Sequence, residues 1–125
     1  MRKAKFNFEE LEIWQKAVDF AVKVIDLSEK ITTDRKHFRL VEQLESSATS
    51  VGLNIAEGKG RYSKKEFLQF LHVAKGSLFE TITLLIIFEK KKWISSSQLE
   101  ELENSAEEIG KQVSSLINSI RASLS

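Results

Sequence analysis

The residues best suited to chemistry lie in one stretch, from Asn54 to Lys65. Its second half carries four cations and one tyrosine with no acid among them: Lys59, Arg61, Tyr62, Lys64 and Lys65. Such a run could contact the phosphates of a nucleic acid, with the tyrosine ring available for stacking on a base. Its alternative interpretation is a solvated turn. The cations precede a helix, where the dipole disfavours them, and this favours a function for them.

Patterns of enzymatic or metal sites are absent from the sequence. The histidines, His37 and His72, follow Asp34 and Gln69 by three residues, so the Glu-x-x-His pairs of a di-iron bundle are missing. Zinc-protease, Walker and dinucleotide-binding motifs are also missing. We therefore predict a protein that is not an enzyme, with no catalytic residue, no metal and no cofactor.

Composition predicts one helical domain. The chain has 125 residues with no cysteine, no proline and 5 glycines, which is typical of long helices in a reducing, cytoplasmic compartment. The longest apolar run, residues 84–88, is far shorter than the ~20 residues of a membrane span, so we expect no membrane association. Net charge is +1. Residues 1–94 contribute 17 − 13 = +4 and residues 95–125 contribute 2 − 5 = −3, so the last helix is acidic.

Apolar residues recur at helical spacing in four segments. They predict helices at about 9–30, 36–57, 64–91 and 96–123, joined by short polar turns. This pattern indicates an all-α, antiparallel up-down-up-down four-helix bundle. Ser63 and Glu66 form a capping-box sequence at the third helix. Gly58 or Gly60 is expected to end the second helix with a positive φ.

The first helix has two neighbouring apolar rows. The first row is Leu11, Trp14, Val18, Ala21 and Ile25, and the second is Ile13, Ala17, Phe20, Val24 and Leu27. Either the helix is wedged between two neighbours of its own bundle, or part of the second row faces another subunit. In the second case, Ile13, Phe20 and Val24 form an oligomer interface.

A group of polar residues and glycines lies close to the apolar seams of the second and third helices. Its members are Asn54, Glu57, Gly58, Gly76, Ser77 and Glu80. They could be structural, with Asn54 bonding turn backbone, Glu57 pairing with Arg61 and Gly76-Ser77 marking a close helix crossing. Alternatively, they contact a ligand or partner near the turn, with Lys59 and Arg61 as donors.

Several motifs together resemble one family. They are Leu11-x-x-Trp14-Gln15-Lys16-Ala17, Phe38-x-Leu40-x-x-Gln43-Leu44, Asn54-Ile55-Ala56-Glu57-Gly58 with Arg61, and Glu66-Phe67-x-x-Phe70-Leu71-x-x-Ala74-x-Gly76-Ser77-x-x-Glu80. The chain resembles the four-helix-bundle proteins encoded in intervening sequences of bacterial 23S ribosomal RNA genes. It departs from them at Arg39, where glycine is frequent, and at Glu45-Ser46, where paired arginines are frequent.

The resemblance implies an up-down bundle that assembles as a ring-like homopentamer, without implying a known activity. Two functions follow as hypotheses. One is an RNA-binding ring linked to 23S ribosomal RNA or its intervening sequences. The other is a protein-interaction scaffold, because related bundles act as accessory subunits of retroelement reverse transcriptases. The basic loop favours the first, and the near-neutral charge with the lost arginines favours the second.

Overall fold

A computed structural model describes residues 3–31 and 37–124 as a four-helix bundle. A short 3-10 helix, Asn7–Glu10, precedes the four α-helices. These are α1 Glu12–Ser28, α2 Phe38–Lys59, α3 Lys64–Lys90 and α4 Ser96–Leu124. The described residues contain no strand, and the predicted all-α class is confirmed. Residue 36, at which the second helix was predicted to begin, lies outside the described residues.

Each helix packs against the next one in the chain, and α1 also packs against α4. Between α1 and α4, Lys23 approaches Glu101 and Glu12 accepts a hydrogen bond from Gln112. Between α3 and α4, Lys64 contacts Ser123, and Leu78 lies beside Gly110. In both pairs, residue numbers rise along one helix as they fall along the other.

The core is apolar and continuous through the bundle. Its fully buried large side chains include Phe20, Leu44, Ile55, Leu71, Leu85 and Phe88. Burial of this size stabilises a chain by roughly 1.5–3 kcal/mol per large side chain. One buried polar pair interrupts the core, because Thr81 Oγ1 donates to Ser47 Oγ over 2.8 Å. Ser47 Oγ in turn donates to Leu44 O over 3.1 Å, so both buried hydroxyls are hydrogen-bonded.

The second apolar row of α1 belongs to this core. Ile13, Phe20 and Val24 are only 9%, 1% and 0% exposed within a single chain. The prediction that these three residues form an oligomer interface is therefore wrong, because their own bundle already covers them. The partly exposed row is the other one, in which Trp14 and Val18 border a shallow apolar groove between α1 and α2.

The second helix continues through Gly58 and ends at Lys59. No described glycine has a positive φ, and Gly60, the C-cap, has φ −79°. The expectation of a left-handed glycine cap is therefore wrong. Gly58 is instead a packing residue, because a Cβ built there would lie 2.7 Å from the Cβ of Phe70. Its missing side chain lets α2 and α3 approach closely where they meet.

Local sequence explains the other helix ends. The Ser63 N-cap of α3 is confirmed, since Glu66 N donates to Ser63 Oγ over 3.1 Å. The reciprocal half of the capping box differs, because Glu66 Oε1 accepts from Ser63 Oγ rather than from Ser63 N. The end of α3 is a Schellman motif, in which Trp93 N donates to Phe88 O and Lys92 N to Glu89 O, each over 2.9 Å. Lys92 there has φ 66°, the one positive φ of a non-glycine residue in the described chain.

The third helix is long and apolar enough to cross a membrane by length and composition alone, with a third of its most apolar window buried. This is weak evidence, because the core helix of a soluble bundle meets the same criterion. Its high apolar content reflects two faces. One lies in the core, and the other leaves Val73, Phe79 and Ile87 52%, 58% and 41% exposed.

Candidate nucleic-acid interface

The loop between α2 and α3 projects its predicted binding residues from one end of the bundle. Tyr62 is fully exposed, and Lys64 and Lys65 are exposed on the first turn of α3. Lys59, on the last turn of α2, is half-buried. None of the three lysines forms an ion pair with a carboxylate of the described residues. Their charges are therefore available to an outside anion.

Arg61 is held against the protein by an acidic and an aromatic side chain. Its Nη2 lies 3.2 Å from Glu57 Oε1, and its guanidinium lies 4.7 Å from the centroid of the Phe70 ring. The ion pair predicted between Glu57 and Arg61 is thus present. Because the pair is exposed, it contributes little to stability. Its effect is to fix the direction in which the guanidinium points.

The last turns of α4 extend this basic end, which the sequence analysis did not foresee. Lys64 Nζ donates to Ser123 Oγ over 3.1 Å. Arg121 Nη2 lies 3.1 Å from His72 Nε2, so Arg121 stands beside the first half of α3. A guanidinium can only donate, which makes His72 the acceptor of this bond. Arg121 therefore joins the cations of the loop.

The acidic character of α4 is confined to its first half. All five of its glutamates lie between residues 100 and 108, whereas residues 109–124 contain Lys111 and Arg121 and no acid. The half without acids is the one that contacts the start of α3. The net charge counted over the whole helix hid this division. Counting the charges of its two halves separately would have revealed it.

The remaining motif residues lie between α2 and α3, and most of them have structural partners. Ser50 Oγ and Ser77 Oγ are 2.8 Å apart, and Asn54 Nδ2 donates to Ser50 Oγ over 2.9 Å. Gln43 Nε2 donates to Glu80 Oε2 over 3.3 Å. The Ser50–Ser77 and Gln43–Glu80 bonds link α2 to α3, whereas the bond from Asn54 to Ser50 lies within α2. They support a structural role for Asn54, Ser77 and Glu80, although Asn54 donates to Ser50 and not to the turn backbone as predicted.

Gly76 has no such structural partner. It is exposed in the middle of α3, and a Cβ built on it would meet nothing within 4 Å. A glycine in a helix interior destabilises the fold by roughly 0.5–1 kcal/mol relative to alanine. Contacts among the described residues therefore do not explain Gly76, in contrast to Gly58.

The titratable groups with shifted pKa values lie away from this end, between α1 and α4. Hydrogen bonds from Lys16 and Gln112 lower the pKa of Glu12. Bonds to Glu108 and Glu12 raise the pKa of Lys16. Both are surface groups that join helices. In the chain as described, no three histidine or acidic side chains cluster closely enough to hold a metal ion.

Comparison with known proteins identifies the family. A family model described as 23S rRNA-intervening sequence protein matches residues 9–115. The chain is also similar to a crystal structure of a protein of unknown function from the S23 ribosomal protein family of Bacteroides thetaiotaomicron VPI-5482. The two share 30% identity and a TM-score of 0.78, over 84% of this chain and 97% of that one. No curated protein matches the sequence significantly. The chain belongs to the 23S rRNA-intervening sequence protein family.

Proposed function

We propose that this protein is a non-enzymatic, self-associating bundle of the cytoplasm that binds RNA through its basic end. The RNA would be 23S ribosomal RNA or the transcript of an intervening sequence. The helices would follow an up-down-up-down order and assemble as a homopentameric ring. A ring would repeat the basic end of each subunit around one axis, so that weak contacts to one RNA add together.

The observation that carries the proposal is a group of cations at the end of the bundle where α2, α3 and α4 meet, none of which pairs with a carboxylate of the described residues. Lys59, Lys64, Lys65 and Arg121 contribute four positive charges there, and Tyr62 adds a fully exposed ring. Two of these lysines stand at the positive end of the α3 dipole, where they oppose local stability. Affinity for an anion explains that placement.

The experiment is a titration of labelled 23S ribosomal RNA fragments with the purified protein over a series of salt concentrations. Four phosphate contacts per chain predict a slope of log affinity against log salt of about −3, from about −0.7 per contact on a single strand. The double variant Lys64→Glu/Lys65→Glu should lose most of the binding. Its two lost contacts should also make the slope shallower by roughly 1.4.

A matched control carries the same change of charge at the other end of the bundle. Lys90→Glu/Lys91→Glu alters two exposed lysines at the C-terminal end of α3 and leaves the loop intact. It should bind RNA as the wild-type protein does. Equal losses in the two double variants would mean that net charge alone governs binding, which would contradict the assignment to the loop.

A second candidate function is a scaffold or accessory subunit for a nucleic-acid enzyme such as a reverse transcriptase. The exposed apolar side chains of α3, Val73, Phe79 and Ile87, favour it because such residues are common at protein interfaces. Near-neutral net charge, +1, also suits a protein partner. This function predicts partner binding that tolerates salt, together with little affinity for bare RNA.

A further inference from the structure

A groove of about 920 Å³ runs along the surface between α3 and α4. Its α4 side includes the small residues Ala106, Gly110 and Ser114, which leave space where larger side chains would fill the gap. Its α3 side presents Phe79 and Ile82. The volume lies within the range of about 300–1,000 Å³ that is typical of ligand sites.

The charges along the groove are divided. Lys75 and Lys111 line one half, and Glu103 and Glu107 line the other. The half with the lysines is the one nearer to the basic loop, because Arg121 contacts His72 one turn before Lys75 on α3. Lys111 Nζ lies 3.9 Å from Glu107 Oε1 on an exposed surface, which is a weak pairing. Cations therefore continue from the loop into the groove.

An aromatic ring lies at the end of this line of cations. Phe79 is 58% exposed, although phenylalanine is among the residues most often buried. Lys75 Nζ lies 5.8 Å from its ring centroid. A ring for stacking and an ammonium for a phosphate are thus close enough to serve one nucleotide. Ser115 and Asn118 add donors and acceptors along the opposite wall.

We propose that the half of this groove nearer the loop is a channel for single-stranded RNA. One base stacks on Phe79, phosphates contact Lys75 and Lys111, and the strand continues past Arg121 to the loop. The inference rests on the proposed RNA binding and specifies its ligand. Duplex RNA is excluded as the ligand, because its bases are stacked on one another and cannot reach an aromatic side chain.

The test uses fluorescence anisotropy with a labelled single-stranded RNA oligonucleotide of mixed sequence, alone and annealed to its complement. Phe79→Ala should weaken single-strand binding about 5- to 150-fold and leave the salt slope unchanged, since stacking contributes about 1–3 kcal/mol per base. Phe79→Trp should retain binding. Lys75→Gln should make the slope shallower by about 0.7. The matched control is Ile87→Ala, which removes an exposed apolar side chain of α3 outside the groove and should bind normally.

The outcomes separate this inference from the proposed function. If the wild-type protein binds RNA through Lys64 and Lys65 and the Phe79→Ala variant binds equally well, the channel is overturned and the loop site stays in place. Wild-type protein that binds no RNA overturns the proposed function itself. If duplex RNA binds as tightly as the single strand, the inference that the ligand is single-stranded RNA is overturned. A changed oligomer mass for Phe79→Ala in light scattering, with unchanged RNA binding, would assign the groove to a second copy of the chain and overturn the channel.

Discussion

Replacing each of the two glycines of the family motif, Gly58 and Gly76, with alanine should change stability in opposite directions. Gly58→Ala is the more informative variant. The new Cβ would lie 2.7 Å from Phe70 Cβ and 2.9 Å from Phe67 Cδ1. Favourable contacts between carbons occur at about 3.5–4.0 Å. Phe67 can rotate its ring, but Phe70 Cβ is attached to the backbone. Relief of the clash therefore requires α2 and α3 to separate by roughly an ångström at this end.

The magnitude is the difference of two terms. Overpacking of a closely packed site destabilises by about 1–3 kcal/mol. Alanine is favoured over glycine in a helix by roughly 0.5–1 kcal/mol, and Gly58 lies in the last turn of α2, where the smaller value applies. The net effect is a loss of about 0.5–2.5 kcal/mol. Gly76→Ala gains the helix preference without a clash and should stabilise by about 0.5–1 kcal/mol.

The assay is unfolding in guanidinium chloride and by heat, followed by circular dichroism at equal protein concentrations. For a chain of this length, 1 kcal/mol corresponds to roughly 3–6 °C in melting temperature. Gly58→Ala should melt below the wild type, and Gly76→Ala should melt above it. A Gly58→Ala variant as stable as the wild type would refute the packing explanation. A Gly76→Ala variant less stable than the wild type would mean that another molecule lies close to Gly76.

Three further predictions concern the cap of α3, the core and the surface. Lys92→Gly should stabilise the fold by about 1 kcal/mol in denaturant unfolding, because a left-handed lysine is strained and glycine is not; an unchanged midpoint would contradict the Schellman geometry. Phe20→Asp should unfold the chain, at a cost of more than about 3–5 kcal/mol, whereas a folded monomer in sedimentation would return Phe20 to an interface. Lys16→Gln should raise the pKa of Glu12 in an NMR titration. Because folding lowers that pKa, the contribution of Glu12 to stability is present above the unfolded value and is lost as the pH falls through the folded value.

The sequence predicts helices better than it predicts what surrounds them. The starts of α3 and α4 were predicted correctly because apolar spacing and the Ser63 capping box are local signals. The role of Gly58 was not, because the atoms that exclude a side chain there belong to another helix. For the same reason, the sequence could not show which of the two apolar rows of α1 is buried in the bundle. Only the packing of α2 and α4 on either side shows that the row with Phe20 is buried.

The candidate site was predicted in part. The loop residues are contiguous, so their charge is visible in the sequence. Arg121 was missed because 56 residues separate it from Lys65, since 121 − 65 = 56. Its contact with His72 depends on the alignment of α3 and α4. The groove at Phe79 was missed for another reason. Spacing places Phe79 one position after Leu78, about 100° around the helix from the apolar seam of α3. The sequence does not show that small residues of α4 line the groove beside it.

The basic end contains two kinds of cation, and stability measurements can distinguish them. Lys59 and Arg121 stand in the last turns of α2 and α4, where cations favour the helix dipole. Lys64 and Lys65 stand in the first turn of α3, where they oppose it. Helix stability therefore explains the positions of Lys59 and Arg121, but it does not explain those of Lys64 and Lys65.

Lys64→Glu/Lys65→Glu should consequently raise the free energy of unfolding while it removes RNA binding. Each reversal removes an unfavourable dipole interaction of about 0.3–1 kcal/mol and adds a favourable one of similar size at low ionic strength, so the pair should gain roughly 1–4 kcal/mol. The gain should shrink with added salt. Lys59→Gln/Arg121→Gln is the comparison, and it should lose both stability and binding. If Lys64→Glu/Lys65→Glu lost stability as well, its loss of RNA binding could be due to structural damage, and the argument that these lysines are kept for an anion would fail.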